Sequence, residues 1–150
     1  MDGESELDAL VAGLGPDLRP GEFVFCRLRS AGELPPGVAL ATFAEEEGTT
    51  AIVPRPDAER AGLRRSGPFR LITLRVRSSI EAIGLTAAVA GALVRRGIPA
   101  NVVAAFHHDH IFVPADRAAE ALAALRALFD DVRELGREGV GIERGLRGEA

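Results

Sequence analysis

Phe69-Arg70-Leu71-Ile72-Thr73-Leu74-Arg75-Val76-Arg77 is the stretch from which the fold is read. Ile72, Leu74 and Val76 alternate with Thr73, Arg75 and Arg77, the period of two that marks a strand with one buried face. A helix is predicted over 83–96, because Leu85, Val89, Ala92 and Leu93 share one face. Arg95 and Arg96 suit the negative end of its dipole, and Gly97 can take the left-handed residue that closes it. Asn101 to Phe106 and His110 to Val113 then read as two strands about a tight turn. Asp116 can cap a last helix carrying Ala118, Leu122, Leu125 and Phe129. Strand, helix, strand, strand, helix is the split βαβ order. It predicts an α+β, ferredoxin-like βαββαβ fold, with an antiparallel sheet and helices on one face.

Working outward, Gly67-Pro68 marks a break, so the chain divides into an N-terminal module at 1–66 and a C-terminal module at 67–132. The first module opens with a short amphipathic helix capped by Ser5, with Leu7, Leu10, Val11 and Leu14 on one stripe and Gly15-Pro16 as its stop. Phe23 to Leu28, Val38 to Phe43 and Thr50 to Val53 read as strands, and 57–62 as a short helix. Residues 133–150 carry five glycines among charges and read as a Gly-rich charged tail.

Composition narrows the function. The 150 residues are 47% hydrophobic and 27% charged, enough to bury a core and stay soluble. Eighteen basic against 22 acidic residues leave a net charge of −4, which gives no general attraction to nucleic acid or an acidic membrane. Every basic residue is Arg, so lysine Schiff-base chemistry and a P-loop lysine are excluded. One cysteine permits neither an intrachain disulfide nor a Cys₄ zinc site. No signal peptide pattern opens the chain, and no stretch of about 18 or more residues is apolar enough to span a bilayer. A cytoplasmic location is expected.

Two blocks, Ser78-Ser79-Ile80-Glu81-Ala82-Ile83-Gly84-Leu85-Thr86 and Gly97-Ile98-Pro99-Ala100-Asn101-Val102-Val103, resemble an ACT domain. Gly21 to Cys26, Glu45 to Thr50, and Asn101 through Pro114 more narrowly resemble a family of small bacterial proteins with two tandem ACT-like modules. The resemblance covers roughly 15–130. It implies an amino-acid-binding regulatory or sensor module without catalytic activity, acting in trans and without a cofactor. The sequence departs from the ACT pattern at Ile83, where a proline usually precedes the glycine of the first turn.

The residues themselves are compatible with that role. Gly84 lies near a predicted helix start, where unpaired N–H groups attract a carboxylate and a glycine lets a ligand come close. The same glycine would also suit close packing alone. Asn101 can donate and accept at once, as an α-amino acid requires, or can satisfy a turn. The resemblance places an asparagine of this kind on the ligand, so Gly84, Leu85, Asn101 and Val102 are the candidate ligand-binding residues, with Ser78, Ser79 and Thr86 beside them. Glu47, within Glu45-Glu46-Glu47-Gly48, is a further candidate for an ammonium group, against the alternative of a solvated turn.

His107, His108 and His110 are all the histidines of the chain. With His108-Asp109 as a two-residue turn, His107 and His110 would pair across the strands about 5 Å apart and could bind zinc. A polar turn without metal is the expected reading. Cys26 alternates with phenylalanines and reads as a core thiol rather than a nucleophile. Arg75 and Arg77 share a face that is solvated or meets an acidic group. A partly covered sheet with open edges points to a homodimer. The expected function is binding of a small molecule, most simply an amino acid. The alternatives are a ligand-free interaction module or a His-centred metal protein.

Overall fold

The computed structural model describes residues 15–75 and 82–145. The helix expected from Ser5 to Leu14, and Arg77, Ser78 and Ser79, lie outside the described residues. In chain order the elements are β1 (Pro16–Leu18), β2 (Phe23–Leu28), a 3₁₀ turn (Ala31–Glu33), β3 (Ala41–Glu45), β4 (Gly48–Pro54), α1 (Arg55–Arg60), β5 (Arg65–Leu74), α2 (Ala82–Val94), β6 (Asn101–Ala104), β7 (Asp109–Pro114), a second 3₁₀ turn (Ala115–Arg117) and α3 (Ala118–Gly145).

The strands form one seven-stranded sheet in the order β3-β4-β2-β5-β7-β6, with β1 also on β5. All its pairings are antiparallel. The first part of β5 pairs with β2, through Arg65 with Cys26 and Phe69 with Phe23. Its last part pairs with β1, through Ile72 with Leu18 and Leu74 with Pro16. β7 takes the opposite edge, from Phe69 to Leu74.

This arrangement resolves into two ferredoxin-like units, each with the order fourth-first-third-second strand. In the N-terminal unit β2, β3 and β4 are strands one to three, and the beginning of β5 is the fourth. In the C-terminal unit the end of β5, β6 and β7 are strands one to three, and the fourth is β1. Each unit therefore borrows its closing strand from the stretch of chain that leads into the other.

Repeated residues mark the equivalence. Arg19-Pro20-Gly21-Glu22-Phe23 and Arg65-Ser66-Gly67-Pro68-Phe69 enter the two first strands, with Gly21 and Gly67 both at positive φ. Val53-Pro54 and Val113-Pro114 leave the two third strands, and the buried Ala58 and Ala118 follow at the same distance.

Two sequence expectations change here. The boundary between residues 66 and 67 falls inside β5, because Gly67-Pro68 forms a bulge in a continuing strand rather than a break. Residues 133–145, expected in a loose tail, belong to α3, which runs on to Gly145. Glycine lowers helix propensity by about 1 kcal/mol but does not forbid a helix that has already been nucleated.

Helices cover one face. Val89 and Leu93 of α2 and Ala118, Ala121, Ala124 and Leu125 of α3 pack on Ile72, Leu74, Ile111 and Val113. Over the N-terminal unit the cover is thinner: Ala58 of α1 with Leu34 and Leu63 sits on Val24, Cys26, Ala51 and Val53. The first helix of that unit is reduced to the 3₁₀ turn at Ala31–Glu33.

The other face, which is helix-free among the described residues, holds Ile52, Leu71 and Phe112, with Phe23, Phe25 and Phe69 packed around them. Phe25 lies 5.2 Å from both Phe69 and Phe112, and Phe23 lies 6.2 Å from Phe112, measured between ring centroids. These rings come from β2, β5 and β7, so the cluster crosses the seam between the units. Offset and edge-on ring pairs of this kind add about 0.5–1.5 kcal/mol each beyond burial.

Two outcomes are expected. Residues 1–66 and 67–150, produced separately, each lack a closing strand and should give unfolded circular dichroism and amide spectra. A cooperative thermal transition in either fragment alone would contradict the exchanged-strand architecture. Phe112→Ala should cost about 3–5 kcal/mol in urea unfolding, since the ring is 3% exposed and sits at the seam.

Candidate functional site

α2 is described from Ala82, and Gly84, Leu85 and Thr86 lie in the first turns of that described helix. Gly84 is exposed, and a Cβ built there would meet nothing within 4 Å among the described residues. Its φ is not in the left-handed region. Among the described residues, neither packing nor backbone conformation therefore requires a glycine, although glycine inside a helix costs about 1 kcal/mol against alanine. Thr86 is half-buried.

Asn101 opens β6, an outer strand of the sheet, and its side chain is exposed. It pairs with Phe112, which fixes it on the helix-free face. Val102 is half-buried on the other face, against the core beneath α2 and α3. Asn101 is in register with Phe112 and Leu71. It therefore lies about 10 Å back along the strands from the end of β5, and two strands across from it. Within one chain, Asn101 therefore lies on the face of the sheet opposite the one that α2 packs against.

Glu47 lies in the β3–β4 turn, at the far edge of the sheet from β6. Its side chain is exposed, and its carbonyl accepts a hydrogen bond from Arg27 Nη2 at 2.6 Å. Glu45 accepts one from the Thr50 hydroxyl. The acidic run is thus anchored as a turn, and it is remote from Gly84 and Asn101.

The histidine turn differs from expectation. Val103 pairs with His110 and Ala104 with Asp109, so the connection is Ala105 to His108, closed by Ala105 N–H donating to the His108 carbonyl at 3.1 Å. His107 therefore does not face His110. The turn is longer than two residues because Ala105 and Phe106 lie outside the ladder.

His110 faces Thr73 instead, with 3.1 Å between Nδ1 and Oγ1. Burial, helped by His108, holds the His110 pKa below its ordinary value, while Asp109 works in the opposite direction. Among the described residues, no three His, Cys, Asp or Glu side chains are placed to hold one metal ion. Cys26 is buried, and that burial pushes its thiol pKa up against the weaker influence of Arg65. Arg75 meets Asp17 of β1 at 3.5 Å.

The four-strand order of each unit, closed twice in one chain, is the geometry against which known proteins can be compared. Family models described as the ACT domain match residues 2–70 and 67–127. The chain belongs to the ACT-domain family.

It is similar to a Vibrio cholerae protein of unknown function, described as a possible transport protein, at 42% identity. That match covers 83% of this chain and 97% of the other, with a TM-score of 0.70. An Agrobacterium tumefaciens protein shares the fold at 18% identity, covering 77% of this chain and 88% of its own, with a TM-score of 0.64. So does the regulatory subunit of aspartate kinase from Thermus flavus, at 12% identity, 77% and 97% coverage and a TM-score of 0.57. No curated protein gives a significant match. Among the described residues of this ACT-domain chain, no helix is long and apolar enough to cross a membrane.

The two ACT units are not equivalent at the candidate site. Ala41 pairs with Ile52 where Asn101 pairs with Phe112, so the N-terminal unit has a methyl group in place of the amide. It also has a 3₁₀ turn in place of α2. Asn101 and Thr86 lie in the C-terminal unit, and Glu47 is the polar candidate of the N-terminal one.

The state of His110 has a measurable consequence. A histidine whose native pKa is below its unfolded value favours folding above that unfolded value, near 6.5. The contribution is lost as pH falls through the lowered native pKa. Urea midpoints should therefore fall as the pH drops below about 6.5, and His110→Gln should flatten that slope. An identical slope in the variant would show that His110 is not its source.

Proposed function

We propose that this ACT-domain protein is a regulatory or sensor module that binds an amino acid at the start of α2 in its C-terminal unit. The observation that carries the reading is Gly84: an exposed helix glycine that, among the described residues, has open space around it and an ordinary backbone conformation. Kept free of a side chain, the first turn of α2 lets a carboxylate approach backbone N–H groups that lack helical partners. The ACT family and the aspartate kinase regulatory fold support a regulatory rather than a catalytic role.

Asn101 belongs to the same proposal through a second copy of the chain. It is exposed on an outer strand, on the face of the sheet opposite the one that α2 of its own chain packs against, which favours a site completed between two copies in a homodimer. Ser78, Ser79, Leu85, Thr86 and Val102 are proposed as its surroundings. Glu47 has the weakest support, because its turn is at the opposite edge of the sheet.

A thermal-shift screen against the common amino acids tests the reading. A specific ligand at 100 times its Kd should stabilise by about 2.7 kcal/mol. Gly84→Ala should raise the stability of the free protein by up to about 1 kcal/mol while weakening that ligand. Asn101→Ala should abolish its shift and leave the fold intact. A ligand that binds both variants as tightly as the parent would overturn the assignment.

A further inference from the structure

A second site follows from the bulge in β5. Phe25 pairs with Ser66 and Phe23 with Phe69, so Gly67 and Pro68 together stand opposite the single residue Val24. Such a bulge bends its strand and locally opens the pairing. Gly67 is obligatory there. Its φ is +117°, and a Cβ would come within 2.9 Å of the Phe69 ring and 3.3 Å of the Phe23 carbonyl oxygen.

On the helix face the bulge floors a cleft of about 400 Å³, lined by Val24, Leu63, Gly67 and Pro68 and by the three arginines Arg55, Arg64 and Arg65. Two of the three arginines are already engaged. Arg55 donates through Nη1 to Glu22 and through Nε to Glu59, each at 2.8 Å. Arg65 donates through Nη1 to the Leu63 carbonyl at 3.3 Å, and its Nη2 lies 3.8 Å from Glu59. The guanidinium of Arg64 has no hydrogen-bond or ion-pair partner among the described residues, and it is exposed at the cleft. Just beyond Pro68 on the same face, Arg70 donates through Nη2 to the Arg19 carbonyl at 3.1 Å, while its buried Nε has no partner among the described residues.

Three guanidinium groups against Glu22 and Glu59 make a positive locus on a chain whose net charge is −4. The fold does not require it. The residue equivalent to Arg55 in the C-terminal unit is Ala115, which follows Pro114 as Arg55 follows Pro54. We propose that this cleft binds a small phosphate monoester. The Arg64 guanidinium together with the remaining N–H groups of Arg55 and Arg65 offers more donors than the two oxygens of a carboxylate accept, and it matches the three terminal oxygens and near-double charge of a phosphate. The apolar floor of Val24, Leu63 and Pro68 would receive the carbon body, and the volume is that of a small-metabolite site. This goes beyond the amino-acid reading and does not depend on it.

Calorimetric titration of the full chain with glycerol 3-phosphate and inorganic phosphate at constant ionic strength tests the site, with succinate as the carboxylate probe. Saturable binding of glycerol 3-phosphate is expected, weakened about tenfold or more by Arg64→Gln, which removes one charged set of hydrogen bonds. The Arg64 side chain is exposed and unpaired among the described residues, so that variant should keep the parental Tm. Asn101→Ala should bind the phosphate as the parent does. Absence of binding by either phosphate compound, an unchanged Kd in Arg64→Gln, or succinate binding as tightly as glycerol 3-phosphate would each overturn the proposal.

Discussion

The antiparallel pairing of residues 16–28 with β5 is the constraint on which the rest of the structure depends. Each of these two lengths of chain supplies the fourth strand of one unit and the first strand of the other. Without the pairing, β2 would lose a neighbour in the N-terminal unit, and the edge of β5 would be bare in the C-terminal one. The four phenylalanines on the helix-free face reinforce the same seam, since Phe25 touches rings from both β5 and β7. The helix-face cores stay separate, one beneath α2 and α3 and one beneath α1. The sheet and the aromatic cluster join the units, while the helices give each unit its own interior.

That division also explains where the candidate sites lie. The start of α2 follows the end of β5, where a ferredoxin-like unit presents a helix N-terminus beside its first strand. The arginine cleft lies at the beginning of the same strand, where the bulge disturbs the pairing with β2. Both sites are therefore attached to β5, at opposite ends. The N-terminal unit has given up the long first helix and the asparagine, but it carries the arginines. The two units are the same fold with different surface chemistry, so neither site follows from the fold alone.

The pattern of Ile72, Leu74 and Val76 and the apolar spacing over α2 were enough to establish the ferredoxin-like order of the C-terminal half. Phe23 to Leu28 was legible for the same reason. β1 was not: at three residues, beginning with Pro16, it is too short to show a period, and its partner lies far along the chain. Gly67-Pro68 was read as a boundary because those residues usually punctuate structure, whereas here they bulge a strand that continues on both sides. The turn after β6 was set by the ladder from Asn101 to Ala104, and local residue types could not count its length. Gly84 and Asn101 were visible as residue types, but their separation depends on sheet register. The arginine cleft gave only the Arg64-Arg65 doublet as a signal, because Arg55 joins it through the third dimension.

The exchanged closing strands also govern how the chain must be made. A ribosome releases β1 early, but the partner of β1 is the end of β5, so this strand waits for Leu74 to emerge. The N-terminal unit is completed by the beginning of that same strand. Neither half can therefore mature as an independent early domain. The nascent chain must keep the edge of β2 open until β5 arrives, and it then gains the closing-strand pairing of both units within the ten residues of β5.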